Sequence, residues 1–423
     1  MARYLLCSPP LRGHVGPIVA IGRDLVERGH HVVMLTGTGF AEAVVAAGLE
    51  FEPLGAGADF DERDPETFTP DLDRHRGLAL SRYQVQQTFV RPITGQARAV
   101  NSLVGRYEYA AVLADGTFAG VLPLLARPRS QRPAVIGLGT MPLAQTSVDV
   151  PPFNSGLLPG RGPVVRLRNR IANLAARRVI FRSTQMLARD LVAAEGGALD
   201  GFILDLSTSF DRFLQLGPAE FEYQRRDLTP TTVFAGPIVA HHGRPQAPPS
   251  WWPDIVHEQR PVIHLTQGTL DNHDFSQLVT PALEALATTD VRVVVSTGGA
   301  SVSRLGALPD NAIAVEFIDH ELLLPRTAVM VTNGGFGGVM TALRHGVPVV
   351  VAPGGEDKPE VAARVAYFGV GVNVKTRRPS VDQLAAAIHT ASTDVTIRHA
   401  ARDMATAISE YRPFDTIADA LTD

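Results

Sequence analysis

The stretch Val329–Lys358 reads VMVTNGGFGGVMTALRHGVPVVVAPGGEDK and decides the fold of this chain. Val329–Thr332 is a short, β-branched run, which predicts a buried strand. Asn333-Gly334-Gly335-Phe336-Gly337-Gly338 is the turn after it. Val339–His345 then predicts a helix, stopped at Gly346 with Pro348 beyond. A second buried strand follows at Val347–Ala352, and then a second glycine turn, Pro353-Gly354-Gly355. A glycine turn between a strand and a helix brings bare backbone N–H groups to a helix N-terminus. That suits an anion, above all a phosphate. The same glycines also suit a tight packed turn of an ordinary α/β domain, and their number does not choose between the two.

The N-terminal half alternates in the same way. Arg3–Cys7 predicts a strand, Ser8–Gly16 a loop, and Pro17–Arg28 a helix with Pro17 in its first turn and Gly29 as its stop. His31–Thr36 predicts the next strand and Phe40–Ala47 the next helix. Such βαβ units argue a parallel sheet, whose ligands sit off the carboxyl ends of the strands. His14 stands in a loop at that edge, and an imidazole pKa near 6.5 suits a general base. A histidine capping its own loop has the same position. Asp115 ends the predicted strand Ala110–Ala114 and is a candidate to orient His14; it could equally cap a helix at Phe118–Ala126.

Composition narrows the function. The 423 residues suggest two or three domains, with 45% hydrophobic and 19% charged residues. A net charge of -4 offers no field for nucleic acid. Cys7 is the single cysteine, so no disulfide can form within the chain, which fits a reducing compartment; the residue itself reads as a buried small hydrophobe. No apolar run approaches the roughly 20 residues that span a bilayer. The expectation is a cytoplasmic protein without integral membrane contact, as a monomer or homodimer.

Two irregular segments, Gly55–Arg76 and Leu143–Pro163, interrupt the first half, and Leu78–Val104 reads as helix broken near Pro92. Arg161–Arg182 holds seven arginines and no acid, with Leu167, Ile171, Leu174 and Ala175 at helical spacing. It reads as a core helix with a solvated charged face. The sharper reading is peripheral contact with an anionic membrane or an acidic acceptor. Phe213–Gly217 and Thr232–Ala235 predict the last strands before a proline-stiffened linker at 236–261, where Trp251-Trp252 anchors to a domain surface or stacks on a ligand. A second alternating set begins at Val262–Thr266 and runs to Tyr411, with Gln267-Gly268-Thr269 as another turn able to face a phosphate. Further elements are predicted at Phe275–Ala287 (helix), Val291–Ser296 and Ile313–Phe317 (strands), with helices at Val381–Ser392, Val395–Tyr411 and near Thr416–Leu421.

The order Phe317-Ile318-Asp319-His320 through Pro325, then Asn333-Gly334-Gly335-Phe336-Gly337-Gly338, then Glu356-Asp357-Lys358-Pro359-Glu360 resembles the donor signature of the UDP-glycosyltransferase family of GT-B enzymes, in its bacterial natural-product branch. Gly13-His14-Val15-Gly16-Pro17 matches that family's base-bearing loop. The resemblance spans most of the chain. It implies two Rossmann-like parallel-sheet domains facing across a cleft: an acceptor domain at 1–235, a nucleotide-sugar domain at 262–411, and a final helix near 412–423 that packs back on the first. It implies an inverting, metal-independent transfer of a hexose from a nucleotide-diphosphate sugar, uridine favoured over thymidine, to a hydroxyl of a hydrophobic small molecule. The nucleotide sugar is co-substrate and no cofactor is expected. His14 would be the base and Asp115 its orienting acid. Phe317 would stack the nucleotide base, Ile318 would bond it through backbone, and Asp357 would hold sugar hydroxyls. His320, Gln267, Gly268, Thr269, Asn333, Gly334, Gly335, Gly337, Gly338 and Lys358 complete the donor set.

Four positions depart from the family pattern. Asn333 stands for a histidine, Gly338 for a serine or threonine, Thr341 for a ribose-binding glutamate, and Lys358 for a glutamine. They fit either a coherent variant, with phosphate neutralisation moved to Lys358, or a degenerate site in a non-catalytic helper of the same fold. The same fold also serves nucleotide-sugar epimerases, and a membrane-peripheral enzyme acting on a glycolipid or sterol would carry the same motifs.

Overall fold

The computed structural model describes residues 1–238, 248–269 and 271–422. The chain divides into two compact units. One holds Met1–Ala219, Tyr223–Ala240 and Arg412–Asp423; the other holds Glu220–Glu222 and His241–Tyr411.

Among the described residues, the first unit is built on β1 (Arg3–Cys7), β2 (His31–Thr36), β3 (Glu50–Pro53), β4 (Ala111–Asp115), β5 (Ala134–Gly139), β6 (Arg212–Gln215) and β7 (Thr232–Phe234). All pairings are parallel, in the order β3-β2-β1-β4-β5-β6-β7. Side chains alternate across a strand, and here both faces are covered. Leu5 and Cys7 of β1 join one apolar cluster with Val112 and Phe118, while Tyr4 and Leu6 join another with Ile18 and Leu113. Each fully buried leucine contributes about 1.5–3 kcal/mol of transfer free energy. The final helix, Pro413–Ala420, belongs to this unit: Ile417 lies in the second cluster and Asp415 takes a 2.7 Å ion pair from Arg28.

The second unit holds β8 (Val262–Thr266), β9 (Arg292–Ser296), β10 (Ala312–Val315), β11 (Thr327–Thr332), β12 (Val349–Val351) and β13 (Gly371–Asn373), parallel in the order β10-β9-β8-β11-β12-β13. Phe336–Arg344 is the helix after β11, and Lys358–Tyr367 the helix after β12. Glu220–Glu222 belongs here because Phe221 enters the cluster of Met330 and Phe336, and Glu222 bonds the buried Arg364 at 2.6 Å.

Several sequence expectations shift. The helix expected from Pro17 begins at Arg12, so His14 lies in its first turn rather than in a loop before it. Glu62 explains the earlier start, because its carboxylate accepts the Arg12 N–H at 2.7 Å and takes the place of a local cap. Part of the expected linker, residues 239–247 with Pro245, lies outside the described residues. The described remainder carries a short helix, Trp252–Val256, and Trp251 and Trp252 pack against Ile255, Val262 and Leu323 as an anchor.

The solvated-face reading of Arg161–Arg182 is overturned. The helix Pro163–Ala175 is there, continued by a π-helical turn at Ala176–Ile180, but its apolar stripe points outward. Val164, Leu167, Ile171 and Leu174 are 79%, 59%, 61% and 52% exposed, whereas Asn169 is fully buried. Asn169 donates to the Val148 carbonyl at 3.1 Å and Asn173 to that of Ser147 at 3.0 Å. Amide hydrogen bonds to the irregular segment thus orient the helix, against the rule that apolar stripes face inward.

Candidate active site

In the first unit the strand ends bring three side chains together. Asp115 closes β4, fully buried, and His14 sits in the first turn after β1. Asp115 Oδ2 lies 2.9 Å from His14 Nδ1 and accepts the Thr140 hydroxyl at 2.6 Å. Asp115 Oδ1 accepts the Thr117 N–H at 2.8 Å and its hydroxyl at 2.5 Å. The carboxylate therefore ties off its own turn and orients the imidazole at once; it caps the turn rather than the helix after it. Burial alone would raise the Asp115 carboxyl, but the His14 charge and the hydrogen bonds from His14, Thr117 and Thr140 outweigh it and hold it below the usual carboxylate range. An ionised Asp115 fixes the hydrogen on Nδ1, so Nε2 carries the lone pair a base needs. Phe89, on the π-helical turn Gln86–Val90, lies beside the imidazole at 6.0 Å between ring centroids.

In the second unit the glycine turn is tight on one side and open on the other. Gly334 has φ +95°, and a side chain there would stand 2.7 Å from Val351 Cγ1. A Cβ at Gly335 or Gly337 would meet open space, and the helix that starts at Phe336 has no side-chain cap. Its first N–H groups thus face an uncrowded approach. Phe317 follows β10, is 47% exposed, and covers Gly299, where a Cβ would lie 2.8 Å from the ring. That leaves an aromatic face suited to stacking. His320 Nε2 is 3.3 Å from buried His264 Nε2.

Two of the four departures, Asn333 and Lys358, are physically connected. The Asn333 amide donates to Asp271 Oδ2 at 2.8 Å, and Lys358 Nζ lies 3.5 Å from the same oxygen and 2.6 Å from Glu356 Oε2. Burial would lower the Lys358 pKa, but Glu356, Asp271 and Asp357 outweigh it and raise it. A Cβ on Gly268 would sit 3.3 Å from Asn333 Oδ1, which puts the two turns side by side. Gln267 Nε2 donates to the carbonyls of Asp271 and Asp274 at 2.6 and 2.8 Å. The Thr341 hydroxyl donates to the Gly337 carbonyl at 2.8 Å, so it is spent on its own helix. Asp357 precedes the Lys358–Tyr367 helix without capping it.

Two family models match the chain: an erythromycin biosynthesis protein CIII-like C-terminal domain over residues 280–422, and a glycosyltransferase family 28 N-terminal domain over residues 12–137. The 4'-demethylrebeccamycin synthase of Lentzea aerocolonigenes is 35% identical over 99% of this chain and 98% of its own. The chain belongs to the UDP-glycosyltransferase family. A UDP-glucosyltransferase of Starmerella bombicola is 31% identical over 99% of this chain and 97% of its own. Among solved structures, the calicheamicin glycosyltransferase superposes with a TM-score of 0.74 over 100% of this chain and 98% of its own, at 20% identity. The two parallel-sheet units are those of a GT-B glycosyltransferase. An inverting, metal-independent transfer fits that family.

Two residues of this glycosyltransferase, Thr140 and Asp271, had no signal in the sequence. Thr140 follows β5, a strand not anticipated, so its meeting with Asp115 had no local signal. Asp271 lay four residues past Gln267 in plain view, but nothing in the spacing ties it to Asn333 and Lys358.

Proposed function

We propose that this UDP-glycosyltransferase moves a hexose from a UDP-sugar to a hydroxyl of a hydrophobic small-molecule acceptor of the natural-product kind. The carrying observation is the buried Asp115 carboxylate, bonded to His14 Nδ1 at 2.9 Å. His14 Nε2 takes the proton of the acceptor hydroxyl. The acceptor oxygen forms a bond to the anomeric carbon as the bond from that carbon to the diphosphate oxygen breaks, so the configuration inverts and UDP leaves. The N–H groups at the start of the Phe336–Arg344 helix, with Lys358, balance the charge growing on the diphosphate. UDP is preferred over dTDP because relatives above 30% identity are named for UDP-sugars. The test is incubation with UDP-glucose and a panel of aromatic and macrocyclic alcohols, read by mass spectrometry. A β-linked product from UDP-glucose supports the reading. Sugar release from UDP-glucose with every acceptor ignored, or transfer with retention, would overturn it.

One observation favours a second element of this reading, peripheral contact with an anionic membrane through Arg161–Arg182. Val164, Leu167 and Ile171 stand out from a helix whose exposed neighbours include Arg170, Arg177, Arg178 and Arg182. Apolar residues in a cationic frame are complementary to anionic lipid, and a hydrophobic acceptor partitions to the same place. Among the described residues no helix is long and apolar enough to cross a membrane.

A further inference from the structure

We propose that Asp271 competes with the donor's diphosphate for the groups that bind it, and so sets how tightly the enzyme holds nucleoside diphosphates. The inference rests on the donor-site reading above. Asn333 and Lys358, two residues that the family pattern does not contain, converge on one Asp271 oxygen, at 2.8 and 3.5 Å. The other Asp271 oxygen faces Arg377 at 3.5 Å. All three donors suit a phosphate, and all three are engaged by one carboxylate.

The loop holds that carboxylate there. Gln267 bonds the Asp271 carbonyl, and a Cβ on Gly354 would lie 2.7 Å from Asp271 Oδ2 and 2.9 Å from Lys358 Cδ. The second glycine turn thus admits the ion pair as well as any ligand. Glu356 adopts φ +61°, a conformation rare for a residue with a side chain, and from it reaches Lys358 Nζ. Lys358 is 8% exposed by side chain, so it cannot exchange a carboxylate for water at little cost. A diphosphate arriving at Asn333 and Lys358 must displace Asp271 and meets repulsion from Asp271 and Glu356. The arrangement weakens nucleotide binding and speeds release of the spent nucleoside diphosphate.

The test is calorimetric titration of UDP and of uridine into the wild type and Asp271→Asn. The amide keeps the shape and an acceptor for Asn333 but removes the charge. UDP should bind at least threefold tighter to the variant, with a steeper loss on adding salt, while uridine, which has no phosphate, binds equally to both. In a Lys358→Gln background the gain should shrink, because only Asn333 and Arg377 are then left for Asp271 to hold. A variant that binds UDP equally or more weakly, with uridine unchanged, would overturn the proposal alone. Failure of both UDP and uridine to bind either protein would overturn the donor-site reading and this inference with it.

Discussion

Asp115 Oδ2 and His14 Nδ1 lie 2.9 Å apart although 101 residues separate them in the chain. The pair forms because two strand ends, those of β1 and β4, are hydrogen-bonded neighbours in one sheet. In Asp115→Asn the amide oxygen stays with the Thr117 N–H and the NH2 donor faces Nδ1, which favours the tautomer with its hydrogen on Nε2, where no base is left for the substrate hydroxyl. A general base contributes about 10²–10⁴-fold, so kcat should fall within that range while UDP affinity stays unchanged. His14→Ala should fall as far. Thr140→Val, which removes one bond to an ionised group, should cost about tenfold. Steady-state kinetics with one alcohol acceptor decide it, and turnover by His14→Ala near the wild-type rate would rule out the base.

The alternation of strand and helix, the glycine turns and the place of Asp115 at a strand end were legible because each is written in local order. What was not legible depends on residues far apart. Glu62 sets the start of the Arg12–Glu27 helix from 50 residues away, and no periodicity in Arg12–Gly16 announces it. The outward turn of Leu167 and Ile171 contradicts the usual reading of an apolar stripe, because amides at Asn169 and Asn173 find carbonyl partners on the other side. Around the glycine turn, Asn333 and Lys358 were visible as substitutions, but their common partner Asp271 was not.

His264 makes the second unit acid-sensitive. Its Nδ1 donates to the Val294 carbonyl at 3.0 Å, so its Nε2 accepts from His320. Burial first, and then the His320 charge, lower its pKa to about 3. The unfolded chain binds that proton near pH 6.5. With the folded value depressed, the stability is present above about 6.5 and is lost as pH falls toward the folded value. His264→Gln keeps a donor and an acceptor without the titration. Its melting temperature should therefore fall less than that of the wild type between about pH 6.5 and 4.5, and two parallel curves would remove His264 from the account.

The exposed stripe makes a lipid prediction. The enzyme should sediment with vesicles containing phosphatidylglycerol and not with neutral phosphatidylcholine. Each basic residue near an anionic surface contributes about 1 kcal/mol, so Arg170→Gln, Arg178→Gln and Arg182→Gln together should weaken binding by roughly a hundredfold. Leu167→Glu with Ile171→Glu should abolish it, since both side chains are already in water and the fold loses little. Equal binding to both vesicle types, or a dimer lost in the glutamate variant, would assign the stripe to something other than an anionic bilayer.

Arg364 is fully buried between Glu222 Oε1 and Glu360 Oε2, each at 2.6 Å. Glu360 is its neighbour one turn earlier on the same helix, whereas Glu222 is 142 residues away, on the short segment that leaves the first unit's chain to join the second. Removing the guanidinium strands two carboxylates without their counter-charge. Arg364→Met should therefore cost about 3–5 kcal/mol in urea unfolding of the second unit. Adding Glu222→Gln and Glu360→Gln to the same chain removes the stranded charges, and an apolar or neutral replacement of a buried ion network is often close to neutral. The triple variant should thus recover most of the loss. If it unfolds no later than Arg364→Met, the cost lies in lost packing of the long arginine stem and not in charge, and the segment Glu220–Glu222 is held chiefly by Phe221 in the Met330 and Phe336 cluster.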